Sequence, residues 1–403
     1  MAAVSDMIRA QVRDSGAAFF RMLGERVDMR WRRARYDEAA FSEVAAEVLN
    51  DYPPYVRCGI EDAFSLGFDD GVLCGQPDLE ASFGQPPLTT YYQEKFRIDM
   101  LFWLDGIPAI HQHGFSGAFH VMYGSSLHTE WTFREDTRLG TRLLLGDLRL
   151  KGAELLEMGT TRKIVAGSSF IHATYHLDRP TVSIVLRTNT ERSFFPQYSY
   201  LVPSIAYAAL ELSPTERRRI QLVKMMARLG DTRTIRNIVL SFLDKADAMG
   251  CLIMALNSYG ALSSDDDATQ VVAAVGRRYE KLAEALPPTL RKYDRVQRIG
   301  ELRRSLSGPD LRFFLGVLLN LEDRVVIDEL IRAKYPDSAA HEKVAGWIID
   351  LIERKALEDV GEVDRVAIER YLMAPQMLPI EEVARLESLS DQWLVGPLFR
   401  RSS

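Results

Sequence analysis

Lys95–Phe133 reads KFRIDMLFWLDGIPAIHQHGFSGAFHVMYGSSLHTEWTF, and its opening residues set the period of the region. Phe96, Ile98, Met100 and Phe102 alternate with Arg97, Asp99, Leu101 and Trp103, the period-two pattern of a strand with a buried face. Asp105-Gly106 marks a turn, and PAIHQH reads as the next strand. Alternate strand residues share a face, so His111 and His113 can meet one ion while Gln112 points away. Neutral imidazole is the commonest protein ligand for such ions. An isolated H-x-H more often decorates a solvated strand face. This one is not isolated: six of the seven histidines (His111, His113, His120, His128, His172, His176) fall within 66 consecutive residues.

Short strands continue outward from this stretch, through AFHVMYG, LHTEWTF, TRLLLGDLRL, RKIVAG, SSFIHATYH and TVSIVLRT, with turn signals between them. Many short strands separated by turns predict a β-sandwich or barrel that ends near Tyr200. Upstream, Met7, Ile8, Val12, Phe19, Phe20, Met22 and Leu23 recur at helical spacing, as do Phe41, Val44, Ala45 and Leu49, and Tyr52-Pro53-Pro54 ends the second helix. Residues 58–90 are rich in Gly, Asp and Pro and read as loops with at most a short helix; GFDDG lacks the spaced ligands of a calcium loop. After Pro203 the pattern is helical to the end, with helix starts at Ser213-Pro214-Thr215-Glu216 and Ser307-Gly308-Pro309-Asp310. The expected fold class is therefore α+β and multidomain. Its parts are N-terminal helices over 1–55, a β-barrel domain over 56–200 and an all-helical domain over 204–403.

At 403 residues the chain is long enough for two or three cores. It is 47% hydrophobic and 26% charged, with a net charge of −6 and no basic excess to suggest a nucleic-acid partner. Cys58, Cys74 and Cys251 are too few, and too irregularly spaced, for a disulfide framework or a cysteine zinc site. No apolar run reaches the length of a membrane span, and the N-terminus lacks the apolar core of a secretory signal. A cytoplasmic protein without membrane contact is the expectation.

An open metal site commonly uses three protein ligands. His172 is the expected third, with His176 in reserve, because both lie on the later segment SSFIHATYH. At this point the chain resembles the cupin superfamily, and within it the cysteine dioxygenase (thiol dioxygenase) type. The resemblance covers roughly residues 90–190. Its marks are Lys95-Phe96, Trp103, Gly106, His111, His113, Ser116, Met122 and Gly124, then His172, Pro180, Val182 and Ser183. It implies a β-barrel or jelly roll holding Fe(II) through His111, His113 and His172, with dioxygen and a small molecule as substrates. The glutamate ligand of most cupins falls on Ala118. The active-site tyrosine of thiol dioxygenases falls on Arg187 and its partner histidine on Val185, and no arginine stands upstream of Lys95, where the sequence is TTYYQE.

Three residues are candidates for the substrate pocket. His120 is two residues beyond Ala118 and is expected to face the same interior as the ligands. Arg187, on the inward face with Val185, suits a substrate carboxylate or phosphate, or else a salt bridge to Asp99, Glu130 or a carboxylate of the helical part. Tyr123 is a possible donor, and His128 and Glu130 read as surface groups or as supports of the ligands. Three neutral histidines suit ferrous iron, although manganese, nickel, copper or zinc also binds such sets. The expected function is an iron-dependent oxygenase or oxidase acting on a small thiol or another metal-chelating metabolite. The alternatives are a sensory or non-catalytic cupin whose residues 204–403 bind a protein partner, and a metal-dependent isomerase, lyase or hydrolase.

Overall fold

The structure is a computed structural model that describes residues 2–77, 83–106, 109–189, 194–262, 265–357, 362–373, 381, 394 and 396–399. Two compact units divide the chain: Met1–Thr132 with Leu156–Gln197, and Phe133–Leu155 with Tyr198–Ser403.

In the first unit α1 (Ala2–Arg33) and α2 (Phe41–Asp51) are the two helices read from the apolar spacing. After α3 (Pro54–Arg57), the stretch 58–90, expected to be loops with at most a short helix, holds two short helices among its described residues, α4 (Ile60–Leu66) and α5 (Asp70–Cys74). Gly and Asp residues that suggested loops stand at the starts of α4 and α5, and the proline that ends α2 opens α3. Pro54 occupies the first turn of α3, Gly59 precedes α4, and the Asp69 carboxylate accepts from Gly71 N and Val72 N at the head of α5.

The strands are β1 (Pro87–Tyr92), β2 (Phe96–Trp103), β3 (Ile110–His113), β4 (Gly117–Tyr123), β5 (Ser126–Arg138), β6 (Leu143–Leu156), β7 (Thr161–Ile164), β8 (Gly167–His176), β9 (Thr181–Thr188), β10 (Ser199–Leu201) and β11 (Ile205–Tyr207). Five form a sheet in the order β1-β2-β9-β4-β7, and six form a closed barrel in the order β10-β11-β6-β5-β8-β3. The barrel expected from the turn-punctuated strands is thus accompanied by a separate sheet, and β11 carries strand structure past Tyr200 to Tyr207.

The five-stranded sheet is buried on both faces by different groups. Phe96, Ile98, Met100 and Phe102 of β2, Val182, Ile184 and Leu186 of β9, and Ala118 and Met122 of β4 share one core with Phe20, Leu23, Val27 and Trp31 of α1 and Phe41, Val44 and Leu49 of α2. Full burial of each such side chain is worth about 1.5–3 kcal/mol. The opposite face carries Leu101, Phe119, Val121 and Val185, which pack with Phe115, Leu156 and Ile164. This second face is the one that meets the histidines.

In the second unit the strand segment 133–155, with β10 and β11, accompanies, among the described residues, ten α-helices: α6 (Pro214–Leu229), α7 (Thr232–Leu243), α8 (Ala248–Ser258), α9 (Asp265–Gly276), α10 (Glu280–Ser305), α11 (Pro309–Asn320), α12 (Arg324–Lys334), α13 (Ala340–Glu353), α14 (Glu362–Met373) and α15 (Gly396–Phe399). Both expected helix starts are present. Ser213 and Glu216 form a reciprocal capping box at α6, and Gly308 and Pro309 open α11. Leu143, Leu145 and Ile205 join a core built from α6 to α10. Arg142 binds Glu216 in the first turn of α6 at 3.0 Å and Asp247 at the head of α8 at 3.1 Å, which ties this hairpin to two helix starts. No helix among the described residues is long and apolar enough to cross a membrane.

Candidate metal centre

His111 and His113 leave β3 on one face, and β8 pairs antiparallel with β3 so that His172 stands directly opposite His111. The register shifts between His111 and His113. One ring nitrogen from each of His111, His113 and His172 lies within 4.8 Å of the others. Nε2 of His113 and Nε2 of His172 face each other at 2.8 Å. His113 and His172 are 5% and 4% exposed, and His111 sits at the half-buried edge.

Burial drives the protonation state. It holds the His113 imidazolium pKa well below its ordinary value, with His111 and Arg187 adding to the effect. It does the same to His172, with His111, His113 and His128 adding. For His111 burial also lowers the pKa, and the bond to the Ala109 carbonyl opposes it. All three rings are therefore neutral near pH 7, the state in which imidazole binds metals.

Hydrogen bonds fix which nitrogens are available. His111 Nδ1 lies 2.9 Å from the Ala109 carbonyl oxygen and donates to it, so Nε2 carries the lone pair; this nitrogen is buried and has no partner. His172 Nδ1 lies 3.0 Å from Nε2 of the buried His128, which leaves its Nε2 for the cluster. Two imidazole nitrogens at 2.8 Å have either a proton or a cation between them, and both His111 Nε2 and His113 Nδ1 are buried without a hydrogen-bond partner. A shared proton would leave the buried His111 Nε2 unsatisfied at a cost of about 1–3 kcal/mol. A divalent cation would take one nitrogen from each ring, so the donor set fits a metal ion.

Aromatic rings surround the cluster. Phe115 is 4.4 Å from His113 between ring centres, Phe170 is 4.5 Å from His172, and Phe119 is 5.8 Å from His172. Phe83 meets His111 edge-on at 6.3 Å. These rings exclude water from the His113 and His172 side.

The other candidate residues are placed differently. His120 does not face the ligands. It is fully buried on the opposite face of β4, with Nδ1 2.9 Å from Thr161 Oγ1 and its ring stacked on Tyr55 of α3. The expectation failed because Ala118, His120 and Met122 share the helix-facing side, while Phe119 and Val121 face the histidines. His176 is on the His172 face but about 13 Å along the strand. It stacks on Trp103 at 4.5 Å and bonds Ser126. Tyr123 ends β4 and is 39% exposed. Arg187 does lie on the histidine side, stacked on Phe115, and makes no salt bridge to Asp99, whose carboxylate pairs with Arg97. His128 is the residue that the sequence reading underrated. It lies on β5, two positions before Glu130, and Glu130 is the cross-strand partner of His172, a pairing set by strand order that no local signal in the sequence reveals.

No family model matches this chain, and no curated protein matches it either. A six-stranded barrel with a three-histidine cluster is compatible with a cupin-like metal site.

Proposed function

We propose that the protein is a non-heme iron(II) oxygenase or oxidase of the cupin type that uses dioxygen to oxidise a small thiol or another metal-chelating metabolite. The observation that carries this reading is the cluster of three neutral imidazoles without a carboxylate among them. Such a set leaves the full charge of a divalent ion in place. Ferrous iron bound there would supply the one-electron chemistry through which dioxygen and an organic substrate exchange electrons.

The chain's own residues have defined parts in this reading. His111, His113 and His172 bind, His128 holds the His172 ring in its orientation and tautomer, and Phe115, Phe119 and Phe170 keep competing water away. His120, buried on the far face, supports the sheet and takes no part. A second reading concerns residues 204–403. Leu222, Met225 and Leu229 of α6 are 54%, 52% and 74% exposed, and their spacing along one helix face favours a protein partner for the helical part.

Dioxygen uptake by iron-loaded protein, followed across a panel of small thiols, tests the proposal. Uptake that matches thiol loss and disappears in His172→Ala supports it. Conversion of a substrate without oxygen consumption would replace it with an isomerase or lyase reading.

A further inference from the structure

We infer that a second copy of this chain docks on the exposed face of α6, through the acidic, phenylalanine-bearing surface of α4 and α5. The inference rests on the reading that residues 204–403 meet a protein partner, and it names that partner. Its basis is a pair of exposed surfaces of opposite charge. Helix α6 carries five basic residues and one acid, Glu216, which is bound to Arg142. Arg217 donates to the Leu212 and Leu210 carbonyl oxygens, and the Arg219 guanidinium lies over the Phe242 ring of α7 at 4.8 Å. Among the described residues, Arg218, Lys224 and Arg228 have no carboxylate partner. They flank Leu222, Met225 and Leu229, which are 54%, 52% and 74% exposed and recur at the three-and-four spacing of one helix side.

The complementary surface belongs to the first unit. Ile60–Cys74 holds Glu61, Asp62, Asp69 and Asp70 and no Lys, Arg or His. Asp62 and Asp69 accept backbone N–H bonds at the starts of α4 and α5. Glu61 and Asp70 are exposed and, among the described residues, have no cationic partner. Glu61 stands one helical turn before Phe64, and Phe64 and Phe68 are 47% and 80% exposed. Each surface thus presents apolar side chains bordered by one sign of charge. Burying the apolar groups drives such a contact, and the opposite charges select the pairing. An anionic lipid surface would also attract α6, but the chain as a whole carries a net charge of −6 and is repelled by it. Because the two surfaces differ, copies join head to tail, in a ring or an open chain rather than a two-fold pair.

Sedimentation velocity of the full-length protein over about 1–100 μM, the range of weak specific contacts, tests the inference. At about 50 mM salt the wild type is expected to shift from monomer to larger species as its concentration rises. At about 500 mM salt the association should weaken about 10-fold. Two double variants confined to exposed side chains, Glu61→Gln with Phe68→Ser and Arg218→Gln with Leu222→Ser, should each stay monomeric and keep the wild-type melting temperature. An equimolar mixture of the two should form dimers and nothing larger, since each supplies the surface that the other lacks. A wild type that is monomeric throughout the range overturns the inference, as does a mixture that stays monomeric. Association lost only in the α6 variant separates the two readings: α6 then meets a protein surface other than the acidic one, so the partner reading stands and this inference falls. Cosedimentation of the wild type with phosphatidylserine vesicles, lost in the α6 variant, would place this face on a lipid surface and overturn both.

Discussion

Replacing His128 tests whether the centre depends on a residue that does not itself face the cluster. Its Nε2 lies 3.0 Å from His172 Nδ1. With His172 Nε2 turned toward the ion, Nδ1 carries the proton and donates to His128, which fixes the ring's orientation. Loss of such a supporting bond typically weakens metal affinity about 10- to 100-fold, or about 1.4–2.8 kcal/mol. His128 is 1% exposed, so truncation to alanine would add a cavity cost of a few kcal/mol to folding and blur the result. His128→Phe keeps most of the ring volume and removes the nitrogen. Competition with a chromogenic chelator at pH 7.5 should show the 10- to 100-fold loss in His128→Phe, while its melting temperature reports any change in fold. Wild-type affinity in a folded His128→Phe protein would refute the role given to this hydrogen bond.

Two further substitutions probe the scaffold. Burial pushes the His120 pKa down to about 4 from 6.5. Above pH 6.5 neither state binds the proton, whereas between 6.5 and about 4 the unfolded chain takes one that the folded chain refuses. The folded state therefore loses about 1.4 kcal/mol per pH unit as pH falls through that window, about 3 kcal/mol in all. Denaturant midpoints for His120→Phe should fall less steeply than those of wild type from pH 7 to 4, and parallel curves would count against the burial of this ring. Gly117→Ala places a Cβ 2.1 Å from the Leu186 carbonyl oxygen and 2.9 Å from Arg187 Cα. Because both are backbone atoms of β9, the strand must shift, at a cost of about 1–3 kcal/mol or more. Urea unfolding measures it, and an unchanged midpoint would contradict the close approach of β4 to β9.

The pattern of β2 was legible because its two faces differ in polarity at Arg97 and Asp99, and its core face matches the apolar set read from the chain. The histidine trio was legible for a related reason: H-x-H fixes two residues on one face, and the segment SSFIHATYH offered few other ligands. His120 was misread because β4, GAFHVMY, is buried on both sides except at Tyr123. Without alternation in polarity, nothing in the sequence sets which parity faces which layer. His128 depended on strand order, since only the pairing of β5 with β8 brings it to His172. Nor does local sequence reveal that Phe133–Leu155 belongs with the helical unit, because Leu143 and Leu145 find their apolar partners on α6 to α10, more than 60 residues downstream.

The most direct test of the metal centre is the metal-to-protein ratio of the purified chain after exposure to Fe(II) without chelator, measured by elemental analysis for wild type, His113→Ala and His172→Ala. One equivalent in the wild type, with loss of most of it in both variants, is the expected result. A wild type that takes up no divalent metal, or variants that each retain a full equivalent, would contradict a three-histidine site.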